Sequence, residues 1–97
     1  MSGTVCRIDI WLWRDRFLRT RSLAAAFVDR GAVRLTRHGR QSRLDRAARP
    51  VQVDDRLVFA LDGRLIELGV AALGTRRGGS AEARGLYVPA DPAMAGG

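Results

Sequence analysis

The sequence contains no lysine, one cysteine and one histidine. A single cysteine cannot form an intramolecular disulfide, and no second Cys or clustered His joins Cys6 as a metal ligand. No apolar stretch approaches the ~20 residues that a membrane span requires. The first residues also show no basic segment followed by an apolar block, so we expect no secretory signal. These absences predict a cytoplasmic protein without a membrane partner.

Signatures of catalysis are also lacking. The sequence has neither a Walker phosphate loop nor a dinucleotide-binding glycine fingerprint. His38 lies in a polar stretch with no nearby Cys or Glu, which is typical of a loop residue or an auxiliary phosphate contact. The adjacent Asp54 and Asp55 lie between two predicted strands, where a turn is the usual explanation. We therefore expect no enzymatic activity, no cofactor and no small-molecule substrate.

Arginine is the residue type in excess. The chain of 97 residues has 17 basic residues and 10 acidic ones, for a net charge of +7. Residues 1–49 hold 12 arginines and 4 acids, a net of +8, whereas residues 50–97 hold 5 arginines and 6 acids, a net of −1. A basic half within one small domain indicates a polyanionic partner, and nucleic acid is the first candidate.

Two helices are predicted near the start of the chain. The first runs from residue 8 to about residue 18, with apolar side chains on two nearly opposite sides. One side consists of Ile8, Trp11, Leu12 and Leu18, and the other of Ile10, Trp13 and Phe17. Thr20 or Ser22 can cap the second helix. Its apolar face consists of Leu23, Ala24, Phe27 and Val28. Gly31 would end this helix, and the short connection around Arg19 makes a tight helical corner.

A small, mostly antiparallel sheet is predicted to follow. Strand patterns occur at residues 32–35, 50–53, 56–61 and 64–73, and Asp62-Gly63 is a strong hairpin signal. Residues 36–49 are predicted to form a loop, and residues 74–79 a flexible one. Residues 80–87 predict a short helix that Pro89 stops, followed by a frayed end. The predicted fold is α+β, with a two-helix corner packed on a small sheet and a short C-terminal helix.

The stretch RDRFLRTRS, residues 14–22, is the best candidate for a binding site. Thr20, Arg21 and Ser22 lie at a predicted helix N-terminus, where unpaired N–H groups and the helix dipole favour an anion. Arginine pairs bidentately with phosphate and stacks on bases. We interpret the corner as a phosphate-binding surface rather than a solvated charged face.

Three neighbouring side chains allow a structural interpretation. Trp13 and Phe17 either stack on bases or pack beneath the C-terminal segment. Asp9 is expected to be structural, paired with an arginine of the second helix.

The order of residues resembles that of a known family. Residues 7–35, RIDIWLWRDRFLRTRSLAAAFVDRGAVRL, resemble the opening of the S4 RNA-binding domain, or alpha-L motif. They are most similar to the heat shock protein 15 family of ribosome-associated proteins, which reads approximately R-L-D-K-W-L-W-x-x-R-F-x-K-T-R-S-L-A and then G-x-V. VQVDDRLVF fits the valine-rich strand and turn of that family. Its E-A-x-x-L-Y ending is matched by Glu82, Ala83, Leu86 and Tyr87.

The resemblance implies an S4-like RNA-binding domain over residues 7–73. A C-terminal extension with a short helix and a disordered end would occupy residues 74–97. The implied partners are rRNA of the large ribosomal subunit and tRNA, especially on subunits blocked by a tRNA-linked nascent chain. The implied role is ribosome recycling, rescue or nascent-chain quality control, including the stress response. We expect a monomer.

The expected RNA-binding residues come from the family pattern and from the charge of the basic half. The family pattern places contacts at Arg7, Arg16, Arg19, Thr20, Arg21 and Ser22. Basic charge adds Arg14, Arg34 and Arg37. Arg14 and Asp15 depart from the family pattern, and they are either part of the RNA surface or a solvated pair. TRHGR replaces the common Asn-Gly turn, and Asp54 replaces a glycine.

Two other functions remain open at this point. A helix-turn-helix DNA-binding regulator would also be basic and helical at its start, but the second helix has few polar side chains left to read a major groove. An accessory RNA-binding subunit of an RNA-modifying enzyme is the other, since similar domains are appended to such enzymes.

Overall fold

The computed structural model describes residues 5–90, which form an α+β fold. The elements in chain order are β1 (Cys6–Arg7), α1 (Ile8–Arg14), α2 (Arg21–Asp29), β2 (Val33–Arg37), β3 (Arg40–Leu44), β4 (Pro50–Val51), β5 (Arg56–Leu61), β6 (Arg64–Val70), α3 (Ser80–Arg84) and β7 (Tyr87–Pro89). Five strands form an antiparallel sheet in the order β3-β2-β5-β6-β7, and β1 pairs with β4 in a separate two-stranded ribbon. The predicted fold class is confirmed.

One hydrophobic core joins the helices to the inner face of the sheet. The strands alternate, so that Val33 and Leu35 of β2 and Leu57 and Phe59 of β5 point inward. Trp11 of α1 is fully buried, and its indole N–H donates to the Ala72 carbonyl at 2.9 Å. Each such large side chain contributes roughly 1.5–3 kcal/mol of hydrophobic stabilisation. The core therefore seats the two helices on one side of the sheet.

The first helix is shorter than predicted. It ends at Arg14 instead of continuing to Leu18, because Arg16 has a φ of 68° and a left-handed residue cannot continue an α-helix. The N–H groups of Phe17 and Leu18 both donate to the Leu12 carbonyl. Leu18 is buried as expected, but it enters the core from the corner rather than from a helix.

The first hairpin, residues 33–44, corrects the prediction of a loop over residues 36–49. β2 pairs with β3 throughout, from Val33 opposite Leu44 to Arg37 opposite Arg40. His38 and Gly39 form the turn with φ values of 53° and 77°, the combination of a type I′ hairpin. β3 lies at the edge of the sheet with four of its five residues exposed. Because edge strands are commonly polar, β3 lacks the apolar alternation that would have indicated a strand.

The second hairpin is the predicted one. Asp62 and Gly63 join β5 to β6 with φ values of 53° and 77°. Two of the predicted strands are shorter in the structure. β6 ends at Val70, and residues 50–53 contribute only Pro50–Val51, paired with β1.

The C-terminal part of the chain adds a strand as well as a helix. The predicted helix over residues 80–87 ends at Arg84, and Tyr87–Pro89 becomes β7, paired with β6 at the edge of the sheet. Pro89 is the last residue of this edge strand, where a missing N–H is tolerated. The division of the chain at residue 74 stays a prediction. The end that was expected to be frayed, residues 91–97, lies outside the described residues.

Candidate nucleic-acid interface

The corner is organised by a helix cap. Thr20 has extended backbone angles, and its Oγ1 accepts the Leu23 N–H at 3.0 Å. Of the two predicted caps, Thr20 is therefore the one that forms. Thr20, Arg21 and Ser22 are all exposed at the start of α2. The structure thus places hydroxyl groups and a guanidinium at a helix N-terminus, whose first N–H groups lack intrahelical acceptors.

The buried face of α2 differs from the prediction at one residue. Ala24, Phe27 and Val28 are buried as expected, but Leu23 is 52% exposed. Leu23 is in the first turn, which projects beyond the core toward the corner. An exposed leucine therefore adjoins the cap residue.

Two arginines of the corner have open guanidinium groups. Arg19 and Arg21 are exposed, and neither makes a hydrogen bond or an ion pair with another described residue. The Arg21 Cζ lies 5.9 Å from the centroid of the Trp13 ring. A cation at this distance is attracted by the ring face. Trp13 therefore helps to orient the Arg21 guanidinium, and its positive charge is not paired with a described carboxylate.

Residues 74–79, predicted to be a flexible loop, are tied to the corner. Arg16 Nη1 donates to the Gly78 carbonyl at 2.9 Å, and Arg77 Nε donates to the Trp13 carbonyl at 3.1 Å. Arg14 Nη1 donates to the Gly74 carbonyl at 3.0 Å. Three guanidinium–carbonyl contacts thus hold the loop against α1 and the turn that follows it.

Arg77 is a candidate interface residue that sequence reasoning missed. Its Cζ lies 5.8 Å from the Trp13 ring centroid, so Arg21 and Arg77 both contact the same indole. More than 50 residues separate Trp13 from Arg77, so no local pattern brings them together. The available signal was the arginine pair within GTRRGG. Its other member, Arg76, makes an exposed ion pair with Glu82 at 3.1 Å.

Arg14 and Asp15 are turned toward the interior. Arg14 contacts loop carbonyls and the Cys6 Sγ, and its Nε is buried without a partner among the described residues. Asp15 is 4% exposed, so the interpretation of a solvated pair is wrong. Burial raises the pKa of the Asp15 carboxyl well above its usual range, opposed by the Phe17 N–H that its Oδ1 accepts. Its Oδ2 is buried with no hydrogen-bond donor in the described part of the chain.

Phe17 packs internally. Its ring lies 5.4 Å from that of Phe59 in β5 and 4.9 Å from that of Tyr87 in β7, so it packs against two strands of the same sheet. This decides between the two interpretations of Phe17. Trp13 is half-buried, packed against the core and also in contact with two arginines.

A second basic region lies at the opposite end of α1. Arg7 donates bidentately to Asp9, with N–O distances of 3.1 and 3.0 Å. The expected partner of Asp9 was an arginine of the second helix, and that prediction is wrong. Arg7 pairs across the β1–β4 ribbon with Pro50, whose carbonyl accepts a long hydrogen bond from Arg37 at 3.5 Å.

Arg37 is held by a buried carboxylate. Its Nε and Nη2 donate to the two oxygens of Asp55 at 2.8 and 2.7 Å, and Asp55 is 2% exposed. Asp55 also accepts the Gln52 N–H at 2.9 Å. Its role is therefore to anchor the hairpin end as well as to form a turn. Asp54, which replaces the family's glycine, has a φ of 79°, the conformation that glycine adopts most easily.

The predicted site residues therefore fall into two groups in space. The corner brings together Arg14, Arg16, Arg19, Thr20, Arg21 and Ser22. Arg7, Arg34 and Arg37 lie elsewhere, near the β1–β4 ribbon and on the first hairpin. Beneath that hairpin is a cleft of about 520 Å³. The cleft is lined by Leu35, Arg37, His38, Arg40, Gln41, Ser42, Leu44, Arg49 and Pro50.

The described residues do not have the features of a metal site or a membrane span. No group of three or more His, Cys, Asp and Glu side chains is clustered there as for a metal ion. Over the same residues, no helix has the length and apolarity to cross a membrane. Burial raises the pKa of the Cys6 thiol, which Arg14 opposes.

Comparison with known proteins confirms the resemblance and the S4-like fold. No protein-family model matches the chain. The heat shock protein 15 homolog of Haemophilus influenzae is 35% identical over 87 residues, covering 90% of this chain and 63% of the relative. The chain thus spans less than two thirds of that protein. The trimeric structure of heat shock protein 15 from Vibrio cholerae has a TM-score of 0.79 and 25% identity, and it covers 96% of this chain and 89% of that one.

Proposed function

Because the chain has the sequence pattern and the fold of heat shock protein 15 proteins, we propose that it binds folded rRNA of the large ribosomal subunit through the corner. One observation carries this proposal. Arg21, at the capped start of α2, and Arg77 both lie near the Trp13 ring, Arg19 is two residues before Arg21, and none of the three has a carboxylate partner among the described residues. The protein is non-enzymatic and cytoplasmic, and it acts on large subunits blocked by tRNA-linked nascent chain, in rescue, recycling or quality control.

The corner is suited to phosphate. The Thr20 hydroxyl accepts the Leu23 N–H, and its own proton remains free to donate. The exposed Ser22 hydroxyl and the Arg21 guanidinium add donors on the same helix turn. Contacts of this kind fix the position of an RNA backbone without reading its sequence. Selectivity then comes from the shape of the folded RNA and from its 2′-hydroxyls.

The geometry favours RNA over the DNA-regulator alternative. A recognition helix presents several polar side chains to the major groove. Here α2 buries Ala24, Phe27 and Val28, and its first turn exposes Leu23. The described residues leave few side chains on α2 that could read base edges.

The decisive experiment measures RNA binding by the Arg21→Ala variant. The affinity for a structured fragment of large-subunit rRNA should fall, and the slope of log K against log salt should become shallower by about one. Arg64→Ala is the matched control, because Arg64 is exposed at the β5–β6 hairpin and makes no described hydrogen bond or ion pair with the corner. Circular dichroism would verify that both variants are folded. Unchanged affinity and slope for Arg21→Ala would contradict the proposal.

The ribosomal target is tested by cosedimentation in sucrose gradients. The protein should migrate with large subunits, more strongly when they carry tRNA-linked nascent chain, and not with small subunits. Duplex DNA should compete poorly with structured RNA. Equal competition by DNA would favour the regulator alternative.

The oligomeric state should be measured in the same buffer, because the Vibrio cholerae relative is trimeric and gives no support to our expectation of a monomer.

A further inference from the structure

The outer face of the five-stranded sheet carries a row of arginines. Side chains alternate along each strand, so the residues that do not enter the core point away from the helices. On three neighbouring strands these outward residues include Arg43 of β3, Arg34 of β2 and Arg56 of β5. All three are exposed. Apart from Gly31, which lies beside the Arg43 side chain, no described residue is known to contact their guanidinium groups, and the strand alternation directs the row to the face of the sheet that does not carry the core.

The register makes the row continuous. Arg34 lies directly opposite Arg43, and Arg56 lies opposite Thr36, which places it diagonally from Arg34. Directly opposed residues have Cβ atoms about 4.5–5.5 Å apart, and diagonal ones lie about 7–8 Å apart. Like charges in direct opposition destabilise a sheet. The sequence nevertheless places two arginines there.

Nothing in the described part of the chain neutralises this charge. None of the three arginines makes a hydrogen bond or an ion pair with a described residue. Glu67 of β6 points to the same face, opposite Val58, but it forms no ion pair with Arg56. An external polyanion would relieve the repulsion between Arg34 and Arg43.

The Arg43 side chain reaches the segment that joins α2 to β2. Its side chain runs across Gly31, where a Cβ atom would lie 2.9 Å from the Arg43 Nε. Gly31 has a φ of 77°, a conformation that glycine adopts most easily.

The positive charge of the arginine row indicates which kind of partner binds this face of the sheet. The basic row lies on the β3, β2 and β5 side of the face, whereas the exposed apolar residues Leu65 and Val88 lie on β6 and β7. A protein partner of ordinary composition would be expected to use the apolar half. Three unneutralised guanidinium groups in a row match a phosphate backbone.

We propose that Arg34, Arg43 and Arg56 form a second RNA-contact surface, so that one chain holds two RNA segments on opposite sides of its sheet. This inference rests on the proposed function, RNA binding at the corner. It assigns a contact role to Arg43 and Arg56, and it explains why Arg34 does not approach the corner.

The test uses Arg43→Glu. This substitution turns the repulsive pair with Arg34 into an attractive cross-strand pair, so the sheet should be retained. The contact of Arg43 with RNA is lost, and the new carboxylate neutralises the charge of Arg34. The slope of log K against log salt should therefore become shallower by about two, and the affinity at moderate salt should fall about tenfold. Arg64→Glu has the same charge change at the other end of the sheet, and it should lose much less.

A bridging assay separates the two surfaces. Structured rRNA fragment on beads should capture a second, labelled copy through the wild-type protein. Arg43→Glu should abolish capture of the labelled RNA while the protein still binds the beads. Arg43→Gln, which adds no new charge, is the second variant and should reduce capture in part. If Arg43→Glu captures as much labelled RNA as Arg64→Glu does, the second surface is wrong. An oligomer that binds both RNA copies through its corners would give this result.

The outcome also distinguishes the two proposals from each other. If Arg21→Ala weakens binding and Arg43→Glu does not, the second surface is wrong and the corner stands. If Arg43→Glu weakens binding and Arg21→Ala does not, RNA binds the sheet and the corner proposal is wrong. If neither changes affinity or slope, both proposals fail.

Discussion

The corner (residues 14–22) and the first hairpin (residues 33–44) are both rich in arginine, but they hold these side chains with different partners. At the corner, Arg14 and Arg16 donate to backbone carbonyls of the loop at residues 74–79. In the hairpin, Arg37 donates to the buried carboxylate of Asp55. Each region also retains arginines without a protein partner among the described residues. The number of arginines in a segment is therefore a poor guide to the number available for a ligand.

The type of hydrogen-bond acceptor that holds each arginine determines the electrostatic potential at the surface. A carbonyl accepts a hydrogen bond without a formal charge, so Arg16 and Arg77 keep their full positive charge beside Arg19 and Arg21. A carboxylate cancels the charge that it holds. Arg37 is neutralised in this way by Asp55, as is Arg7 by Asp9 outside the hairpin. Structural bonds at the corner thus hold the loop in place and also preserve the potential that attracts phosphate.

The largest effect on stability is expected at Arg37. Arg37→Ala leaves the Asp55 carboxylate, which is 2% exposed, without its bidentate partner. Removing one member of such a pair costs about 3 kcal/mol. Urea denaturation should show this loss, whereas Arg40→Ala in the same hairpin should change the free energy of unfolding by no more than ~0.5 kcal/mol. Equal effects of the two substitutions would show that Arg37 is not an anchor.

A smaller loss of stability is expected at Arg14. Arg14→Ala removes the donor to the Gly74 carbonyl and the buried stem beside it, with a cost of about 2 kcal/mol. The loop at residues 74–79 should then be cleaved faster by trypsin after Arg76 and Arg77. Arg19→Ala, in the same corner but without a described partner, should leave the cleavage rate unchanged. Protection of the loop in Arg14→Ala would contradict the clamp.

The smallest effect is a gain at Asp15, the corner's buried acid. Unlike Asp55, it has no arginine partner, and burial raises the pKa of its carboxyl. The folded state therefore holds this proton more tightly than the unfolded state, so stability falls as the pH rises from the ordinary Asp pKa of about 3.9 through the raised value.

The Asp15→Asn variant has no carboxyl to ionise, so it does not lose stability as the pH rises through this range. The substitution should stabilise the protein by about 1 kcal/mol above the raised pKa, with little gain near pH 3. Thermal unfolding at several pH values measures this difference, and the exposed Asp62→Asn is the matched control. A gain that does not depend on pH would mean that ionisation of Asp15 is not the cause.

Local sequence signals predicted three features correctly. Thr20 caps α2, Asp62-Gly63 turns the second hairpin, and Trp11 with its apolar neighbours enters the core. Each of these features depends on residues that are close together in the chain or on one periodic face. Edge strand β3 was missed because its polar residues show no buried alternation.

Long-range contacts were beyond such signals. The contact of Arg77 with Trp13 and the pairing of Arg37 with Asp55 join segments that are far apart in sequence. Whether Asp15 is solvated or buried also depends on what packs over the corner. Residue type gives no information on these points, because an arginine or an aspartate has the same chemistry whether or not a partner reaches it.

The sequence by itself determined the position of the second helix start, the turn of the second hairpin, most of the core face of each helix and the excess of positive charge in the first half of the chain. These follow from local conformational preferences and from composition, which need no knowledge of distant residues. Tertiary structure alone decided which arginines hold the fold and which remain open, because that depends on the carbonyl or carboxylate that folding brings within hydrogen-bond distance. It also brought Arg34, Arg43 and Arg56 into one row, since the register between strands sets which side chains are neighbours.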